Sequence, residues 1–518
     1  MINKKAVQKF LARKLDSFSW LKKEPLEALN TALAGLRPAP DFGTTKLWLH
    51  QRACLLLLIE LKRFMLHIDM GGGKTLLTLM LIRYLKQCGE KPRAIVFVPY
   101  ITSVETWIEE VAKHAPDLQI VPLLGTTKEN LSRLTAESVG DLFVISYQSA
   151  VAAVSTSVVD EKGGTTRWNF KARTIRTYFA GFDMLVMDEI HKCKSASSLT
   201  YRMCRAISKQ CTWVLGLTGT PFGKEPQDLW SQYFLVDLGA ALGPTKEFFM
   251  AVFYKQGWNY WGGMEFTFRK KMMPELTRMT KHSSIVYGID EFADMPPMTW
   301  VPVSIPLPPD IEGYVKLAIK NINDAIKGKG TGRYSIVESN YLQLRQLSSG
   351  FMTLKGGDNS KLQVKFDETP KMDKLQELIE AMPHGCKMVV FHHFIYTNKI
   401  ISERLREMKV GHARIWSGAK DPIGELRRFK TDPKCTVLVI NSKSGSSSLN
   451  LQGANYIVFF EQPDSPIDRQ QAVRRVWRPG QYKRVFVYDL FMRGTYDRRI
   501  FNSNKAGEDL LKQLLRGE

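Results

Sequence analysis

No two cysteines in this 518-residue chain stand in a C-x-x-C spacing, and the seven present (Cys54, Cys88, Cys193, Cys204, Cys211, Cys386, Cys435) are an odd number. A structural zinc site or a disulfide framework is therefore not expected; reduced thiols in a cytosolic protein are. No run approaches the roughly 18 consecutive apolar residues of a membrane span. The longest, Ala53–Ile59, is far shorter. Lys4, Lys5 and Lys9 are followed by neither an apolar core nor a small-residue cleavage site, so a signal peptide is not expected. There is no internal repeat and no long low-complexity tract, which excludes solenoids and linker-like chains. Acid is scarce: 51 Asp and Glu face 73 Lys and Arg, a net charge of +22. Such a field attracts polyanions, and nucleic acid is the natural partner class.

What is present is ordinary for globular protein: 44% hydrophobic and 24% charged residues. At roughly 100–200 residues per domain, the length suggests about three domains. Short runs rich in Val, Ile and Phe recur at Ala94–Val98, Leu142–Ser146, Met184–Met187 and Trp213–Leu217. A second set stands at Met388–Phe391, Thr436–Ile440, Tyr456–Phe460 and Val485–Tyr488. Continuous apolar runs of this length read as strands buried on both faces. Helix-like segments such as Leu76–Cys88 and Ser402–Met408 separate them, giving a β-α-β rhythm. The expectation is an α/β fold with two parallel-sheet lobes.

The expected organisation is a basic helical N-terminal extension (1–40), a first lobe (41–240), mainly helical insertions and a linker (241–369), a second lobe (370–505) and a tail (506–518). The first 40 residues carry eight Lys or Arg against three Asp or Glu. They read as a helix docked on the first lobe, with a DNA-touching arm as the alternative. Pro-rich patches at Met295–Pro297 and Pro306–Pro309 read as a linker or domain edge. The aromatic cluster Trp258, Tyr260, Trp261, Phe266 and Phe268 reads as the core of a helical insertion, with a strand-separating wedge as the alternative.

Chemistry concentrates at two places in the first lobe. Asp69-Met70-Gly71-Gly72-Gly73-Lys74-Thr75 joins an apolar stretch to a helix-like run. Glycines let the backbone wrap closely around phosphate, and the helix start offers its N–H groups and positive dipole end. Lys74 is placed to reach the β- and γ-phosphates, and the Thr75 hydroxyl to ligate Mg²⁺. Met70, Gly71, Gly72 and Gly73 complete the nucleotide loop, although Ile68 stands where the full phosphate-loop template has its first glycine. The second place is Asp188-Glu189-Ile190-His191, at the end of a buried strand. Asp188 is assigned to the metal and Glu189 to the attacking water, because phosphoryl transfer to water needs both jobs done. His191 is assigned to coupling, since no second ligand stands at a metal spacing from it.

Together with motifs spread along the rest of the chain, these residues resemble superfamily-two helicases, most closely their Swi/Snf branch of double-stranded DNA translocases, over roughly residues 45–500. Leu47–Gln51 resembles the adenine-reading Gln motif, which assigns Gln51 to the nucleotide. Val98-Pro99 with Trp107 and Glu110 resembles motif Ia, and Val144–Tyr147 motif Ib. Leu217-Thr218-Gly219-Thr220-Pro221 matches motif III, and Leu344–Leu347 resembles the Leu-Arg-Gln stretch of the second-lobe insertion. Met388–Phe394 resembles motif IV, and Gln471–Gln481 resembles motif VI at full spacing. The resemblance implies RecA-like lobes, with Arg475 and Arg478 facing ATP from the second lobe; their three-residue spacing puts them on one helical face. It assigns Thr218, Gly219, Thr220 and Gln471, with His191, to coupling. Motif V departs from the family, because Ser446 and Ser448 replace glycines. The compact chain suggests a bacterial or bacteriophage member.

The implied activity is a DNA-dependent ATPase using ATP and Mg²⁺, which translocates on duplex or branched DNA and remodels it. The alternative is an ATP-gated DNA clamp or assembly subunit with little translocation; Glu189 and both motif VI arginines count against it. DNA contacts are expected from Pro99, Ser103, Ser146, Tyr147, Lys443 and Ser444, with core packing as the alternative for Tyr147. Small polar groups hold phosphates without reading bases, so little sequence preference is expected. The expected location is cytoplasmic and DNA-associated.

Overall fold

Continuous Val, Ile, Leu and Phe runs form the central strands of two parallel sheets, one in each of two compact units that divide between Ala293 and Asp294. The computed structural model describes residues 4–135, 138–159, 165–170, 172–219, 226–258, 264–327, 333–355, 361–416, 418–419, 421–442, 449–463, 465–502 and 504–505.

The first unit holds β1 (Arg63–Ile68), β2 (Ala94–Val98), β3 (Ile120–Pro122), β4 (Leu142–Ser146), β5 (Ser155–Val159), β6 (Thr165–Phe170), β7 (Met184–Asp188), β8 (Trp213–Thr218), β9 (Tyr254–Trp258), β10 (Met264–Phe268) and β11 (Ser284–Tyr287). Seven of them form a sheet in the order β11-β1-β8-β7-β2-β4-β3, and every pairing in it is parallel. β5–β6 and β9–β10 are separate antiparallel hairpins. Parallel neighbours need crossovers, and the helices supply them on both faces. Helices Leu49–Leu61, Lys74–Gln87 and Thr102–His114 bury Leu55, Leu58, Leu77, Leu81 and Trp107 on one face. Helices Tyr147–Val154, Leu199–Ser208 and Asp228–Asp237 bury Ala150, Met203, Ile207 and Tyr233 on the other.

The second unit holds β12 (Met298–Ile305), β13 (Phe351–Lys355), β14 (Lys361–Lys365), β15 (Met388–His392), β16 (Gly411–Ile415), β17 (Cys435–Asn441), β18 (Tyr456–Phe459) and β19 (Val485–Met492). Its six-stranded sheet runs β12-β19-β18-β15-β17-β16, again parallel throughout. Two parallel-sheet lobes, as expected, are thus the architecture. Among the described residues no helix is long and apolar enough to cross a membrane.

The region 241–369 holds the expected helices, Lys246–Phe253, Met273–Thr280, Pro309–Lys327 and Arg333–Ser348, together with strands that were not expected. It donates β11 to the first sheet and β12 to the second, and it carries two hairpins, β9–β10 and β13–β14. β12 is hard to read because Pro302 interrupts it and its residues are half-exposed in alternation. Both features belong to an edge strand, where a missing N–H costs no ladder bond. At the N-terminus, helix Lys4–Leu11 docks on the first unit: Phe10 is buried edge-on to Phe248 at 4.9 Å, and Arg278 donates to the carbonyls of Leu11 and Arg13.

Candidate active site

Three adjacent strands, β1, β8 and β7, bring the first-lobe motifs to their common carboxyl ends. After β1 the backbone turns through Gly71 and Gly73, both at φ +85°, and Gly73 is the N-cap of helix Lys74–Gln87. Only glycine takes this left-handed region without strain. Space is also exhausted: a Cβ on Gly72 would lie 2.3 Å from Ile68 Cγ2, and one on Gly73 2.4 Å from Gln51 Nε2. Lys74 Nζ donates to the Ile68 carbonyl at 2.7 Å, which folds it over the loop. Asp69 fixes the loop's entry, because its N–H donates to the Tyr287 carbonyl (3.1 Å) and its Oδ2 accepts from Ile289 N (3.0 Å). A tight backbone cradle, one ammonium and a helix start with unsatisfied N–H groups fit a polyphosphate.

Gln51 supports this loop from behind. Its Oε1 accepts from Trp48 N (2.9 Å) and its Nε2 donates to the Gly72 carbonyl (3.2 Å). His50 Nε2 lies 2.8 Å from the same carbonyl, and burial pushes the imidazole's pKa down, so a neutral ring serves as donor. Gly73→Ala therefore has two penalties, a left-handed alanine and a displaced Gln51. The left-handed term alone is roughly 1–2 kcal/mol. The expected result is about 10-fold or more weaker nucleotide binding, measured by equilibrium titration with a fluorescent ATP analogue.

β7 ends at Asp188, and Glu189 then turns at φ +50°, ψ +56°, a conformation that L-residues other than glycine seldom adopt. Strain of this kind persists only where the surroundings impose it. Here Thr218 Oγ1, at the end of β8, donates to Glu189 Oε2 at 2.9 Å, and His191 Nδ1 lies 3.2 Å from the same oxygen. Burial works to raise the Glu189 pKa, but the His191 hydrogen bond and charge, Lys74 and Thr218 outweigh it and hold the carboxylate low. Asp188 is shifted the other way, upward, by burial and then by the Glu189 charge; Trp107 Nε1 donates to its Oδ2 at 3.3 Å. A half-buried carboxylate raised by burial of its surroundings and by its ionised neighbour, with the Thr75 hydroxyl in the first turn of helix Lys74–Gln87, is a donor set that suits a hard divalent cation.

Lys74, Asp188, Glu189, His191 and Thr218 thus come together. Gly219 passes close to the phosphate loop, since a Cβ there would lie 3.3 Å from the Ile68 carbonyl. Thr220 lies outside the described residues, as do Lys443, Ser444, Ser446 and Ser448. Sequence reasoning missed His50 and Asp69 as loop supports and Trp107 as the Asp188 partner. His50 beside Gln51 and Asp69 beside the glycines were signals by position; the Trp107 indole bond had none.

In the second unit, Gln471 and Arg475 lie on helix Pro466–Val476 and are buried, Arg475 to 1% exposure. The helix is anchored by Arg469, which donates to both Asp489 oxygens at 2.8 and 3.0 Å. Contrary to the expectation, Arg478 does not share a helical face with Arg475. The helix stops at Val476, Trp477 leaves helical geometry at ψ 84°, and the half-buried Arg478 sits in the turn before Pro479. The residue before a proline is disfavoured in the α region, which explains the stop.

Two of the expected DNA contacts, Ser103 and Ser146, need correction, and for Tyr147 the alternative, core packing, is the one found. Ser103 is fully buried, Ser146 is spent capping helix Tyr147–Val154 through Ser149 N (3.1 Å), and the Tyr147 ring packs 5.7 Å from Phe97 inside the core. Their side chains cannot reach a phosphate. Pro99 is half-buried at the end of β2. The aromatic cluster is not the core of a helical insertion either: Trp258 and Phe266 are exposed on the β9–β10 hairpin, while Phe268 packs against Tyr254 at 5.4 Å. Tyr260 and Trp261 lie outside the described residues.

Comparison with known families matches residues 50–250 to the SNF2-related domain and residues 370–480 to the Helicase conserved C-terminal domain. A Bacillus subtilis (strain 168) protein bearing the name ATP-dependent helicase/translocase YwqA is 23% identical over 475 residues, covering 87% of this chain and 46% of that protein. The mouse DNA excision repair protein ERCC-6-like is 23% identical over 536 residues, covering 90% of this chain and 42% of the relative. The DNA repair and recombination protein RAD54-like of Drosophila ananassae is 23% identical, covering 86% and 59%. The chain therefore spans less than half the length of the first two. A solved Sulfolobus solfataricus SWI2/SNF2 ATPase core in complex with dsDNA aligns over 92% of this chain and 94% of its own, at 20% identity and a TM-score of 0.38.

Proposed function

Because the chain belongs to the Swi/Snf-like branch of superfamily-two helicases, a branch of DNA-dependent ATPases, we propose that it hydrolyses ATP when bound to DNA and moves along duplex arms to remodel them. Branch migration, fork regression or protein displacement is the form this remodelling takes, with branched junctions the preferred target. The observation that carries the reading is the clamp on Glu189. Thr218 and His191 both hold Oε2, which fixes the carboxylate, keeps it ionised and leaves Oε1 to accept a proton.

In this reading Gly71–Gly73 and Lys74 bind the phosphates, and Gln51 takes the base side of the nucleotide. Thr75 and Asp188 would hold Mg²⁺, which when bound would supply charge neutralisation for the phosphates. Glu189 orients a water at the γ-phosphorus and takes its proton as the water oxygen bonds to that phosphorus; the bond to the bridging oxygen breaks, ADP and inorganic phosphate leave, and Glu189 returns its proton to solvent. Arg475 and Arg478 neutralise charge that develops in that step. His191, Thr218, Gly219, Thr220 and Gln471 link this chemistry to DNA. Pro99, Lys443 and Ser444 remain the proposed backbone-tracking contacts. The +22 net charge supports a sequence-tolerant, salt-sensitive grip on phosphates.

The test is the ATPase rate at saturating DNA, on equal nucleotide mass of four-way junction, linear duplex and single strand. The expected order is junction, then duplex, then single strand. If single strands stimulate best, a strand-tracking helicase replaces the duplex translocase. If no DNA stimulates, the reading fails altogether.

A further inference from the structure

The β9–β10 hairpin turns an apolar face to solvent. Its antiparallel register sets Tyr254 opposite Phe268, Gln256 opposite Phe266 and Trp258 opposite Met264, so these six side chains share one face. The foot of that face is docked: Tyr254 is buried against Phe268 and Phe249. Beyond the foot it is bare, with Trp258 76% exposed, Met264 55% and Phe266 42%. A solvated hairpin ordinarily alternates apolar inward and polar outward. Here the outward end carries a tryptophan and a phenylalanine, the opposite of what solvation alone selects.

The surroundings decide what would cover it. Between Tyr254 and Lys271 the sequence has Lys255, Arg269, Lys270 and Lys271 against one acid, Glu265. Lys255 lies on the opposite face of the hairpin, and Lys270 and Lys271 come after β10 at its foot; all three lysines are exposed. The basic helix Lys4–Leu11 docks on Phe248, in the helix that leads into β9, and its Lys9 is exposed. A greasy protein ligand gains nothing from this charge, whereas a polyanion with flat apolar faces does. Aromatic rings that stack bases, set among cations that hold phosphates, are the chemistry of single-strand recognition.

We infer that this hairpin is a platform for unstacked nucleobases, with Trp258 and Phe266 stacking on the bases of an unpaired arm while Lys270 and Lys271 hold its backbone. The inference rests on the DNA reading above and refines it: the duplex-binding lobes would do the moving, and the platform would favour DNA that has an unpaired arm. It requires no base-specific hydrogen bond, so the preference is for structure over sequence.

The test uses the full chain and its Trp258→Ala, Phe266→Ala and Trp258→Phe variants. The probes are a blunt duplex and the same duplex with two unpaired arms carrying 2-aminopurine. All three substitutions fall on exposed ring positions, and Tyr254 and Phe268, which anchor the hairpin, are untouched. The native chain is expected to quench 2-aminopurine in the arm, as stacking does. Trp258→Ala and Phe266→Ala are each expected to lose the quench and to bind the forked DNA on the order of 5- to 100-fold more weakly. Blunt-duplex binding and the ATPase rate on blunt duplex should change less than about twofold, since no stacked base is lost there. Trp258→Phe should keep most of the quench. Equal affinity of all variants for the forked DNA overturns the inference, and so does an equal loss on fork and blunt duplex. A face that answers to a second copy of the chain, seen as a concentration-dependent mass that Trp258→Ala abolishes without any effect on DNA, overturns it too. If the native chain shows no DNA-stimulated ATPase, the broader reading falls and takes this one with it; normal duplex stimulation with no hairpin effect removes this one alone.

Discussion

Glu189→Gln is expected to bind ATP about as tightly as the native chain and to turn it over on the order of 10²-fold or more slowly. The substitution keeps the shape of the side chain and its capacity to accept from Thr218, while removing the proton acceptor. The separation of binding from turnover is what distinguishes a general base from a structural acid. A purely structural Glu189, strained at φ +50° and held by Thr218 and His191, would instead lose nucleotide binding and thermal stability together. Two measurements separate these outcomes: nucleotide affinity by equilibrium titration, and single-turnover hydrolysis with saturating DNA. Lys74→Ala provides the contrast, because removing the ammonium from the phosphate cradle should weaken binding itself. Near-native turnover by Glu189→Gln would remove Glu189 from the chemistry.

Arg478→Ala is expected to abolish DNA-stimulated hydrolysis, by on the order of 10³-fold, while nucleotide binding by the first unit persists. Arg478 is the better probe of the two motif VI arginines because it is half-buried in a turn, whereas Arg475 is 1% exposed within the helix. Removing a buried guanidinium disturbs packing as well as charge. A fragment of residues 1–293 gives an independent check. It contains the whole phosphate loop, Asp188, Glu189 and the strand that backs them, and lacks both arginines. It should bind ATP and hydrolyse almost none. Full hydrolysis by that fragment would mean that the second unit contributes nothing to the chemistry.

The legible parts of this chain are those where local pattern and environment coincide. Ala94–Val98 reads as a buried strand because all five residues are apolar, and all five are buried. Gly71–Gly73 reads as a phosphate cradle because glycine has few other reasons to stand three in a row before a lysine and a helix. The grouping of Glu189, His191 and Thr218 is accessible only through family resemblance, since β7 and β8 lie some thirty residues apart in sequence before they become neighbours.

Less legible are features that depend on distant partners or on exposure. Pro302 reads as punctuation, yet it sits comfortably in an edge strand paired with β19. Ser103, Ser146 and Tyr147 suit phosphate contact by residue type, but residue type does not report depth. Trp258 and Phe266 read as core for the same reason. Nothing near Asp69 indicates that Ile289, 220 residues onward, supplies one of its hydrogen bonds.

That last link governs where the chain tolerates being cut. The boundary suggested by sequence pattern, near residue 240, removes β11 from the first sheet. β1 would then present a bare row of N–H and C=O groups, the template on which strands from other molecules assemble. Asp69 would at the same time lose the Tyr287 carbonyl and the Ile289 N–H that hold the phosphate loop's entry. A protein trimmed there would fail twice, sticking to its own kind and gripping nucleotide loosely. Carrying the cut some fifty residues further, past β11, keeps the sheet's flank closed and the loop's entry tied.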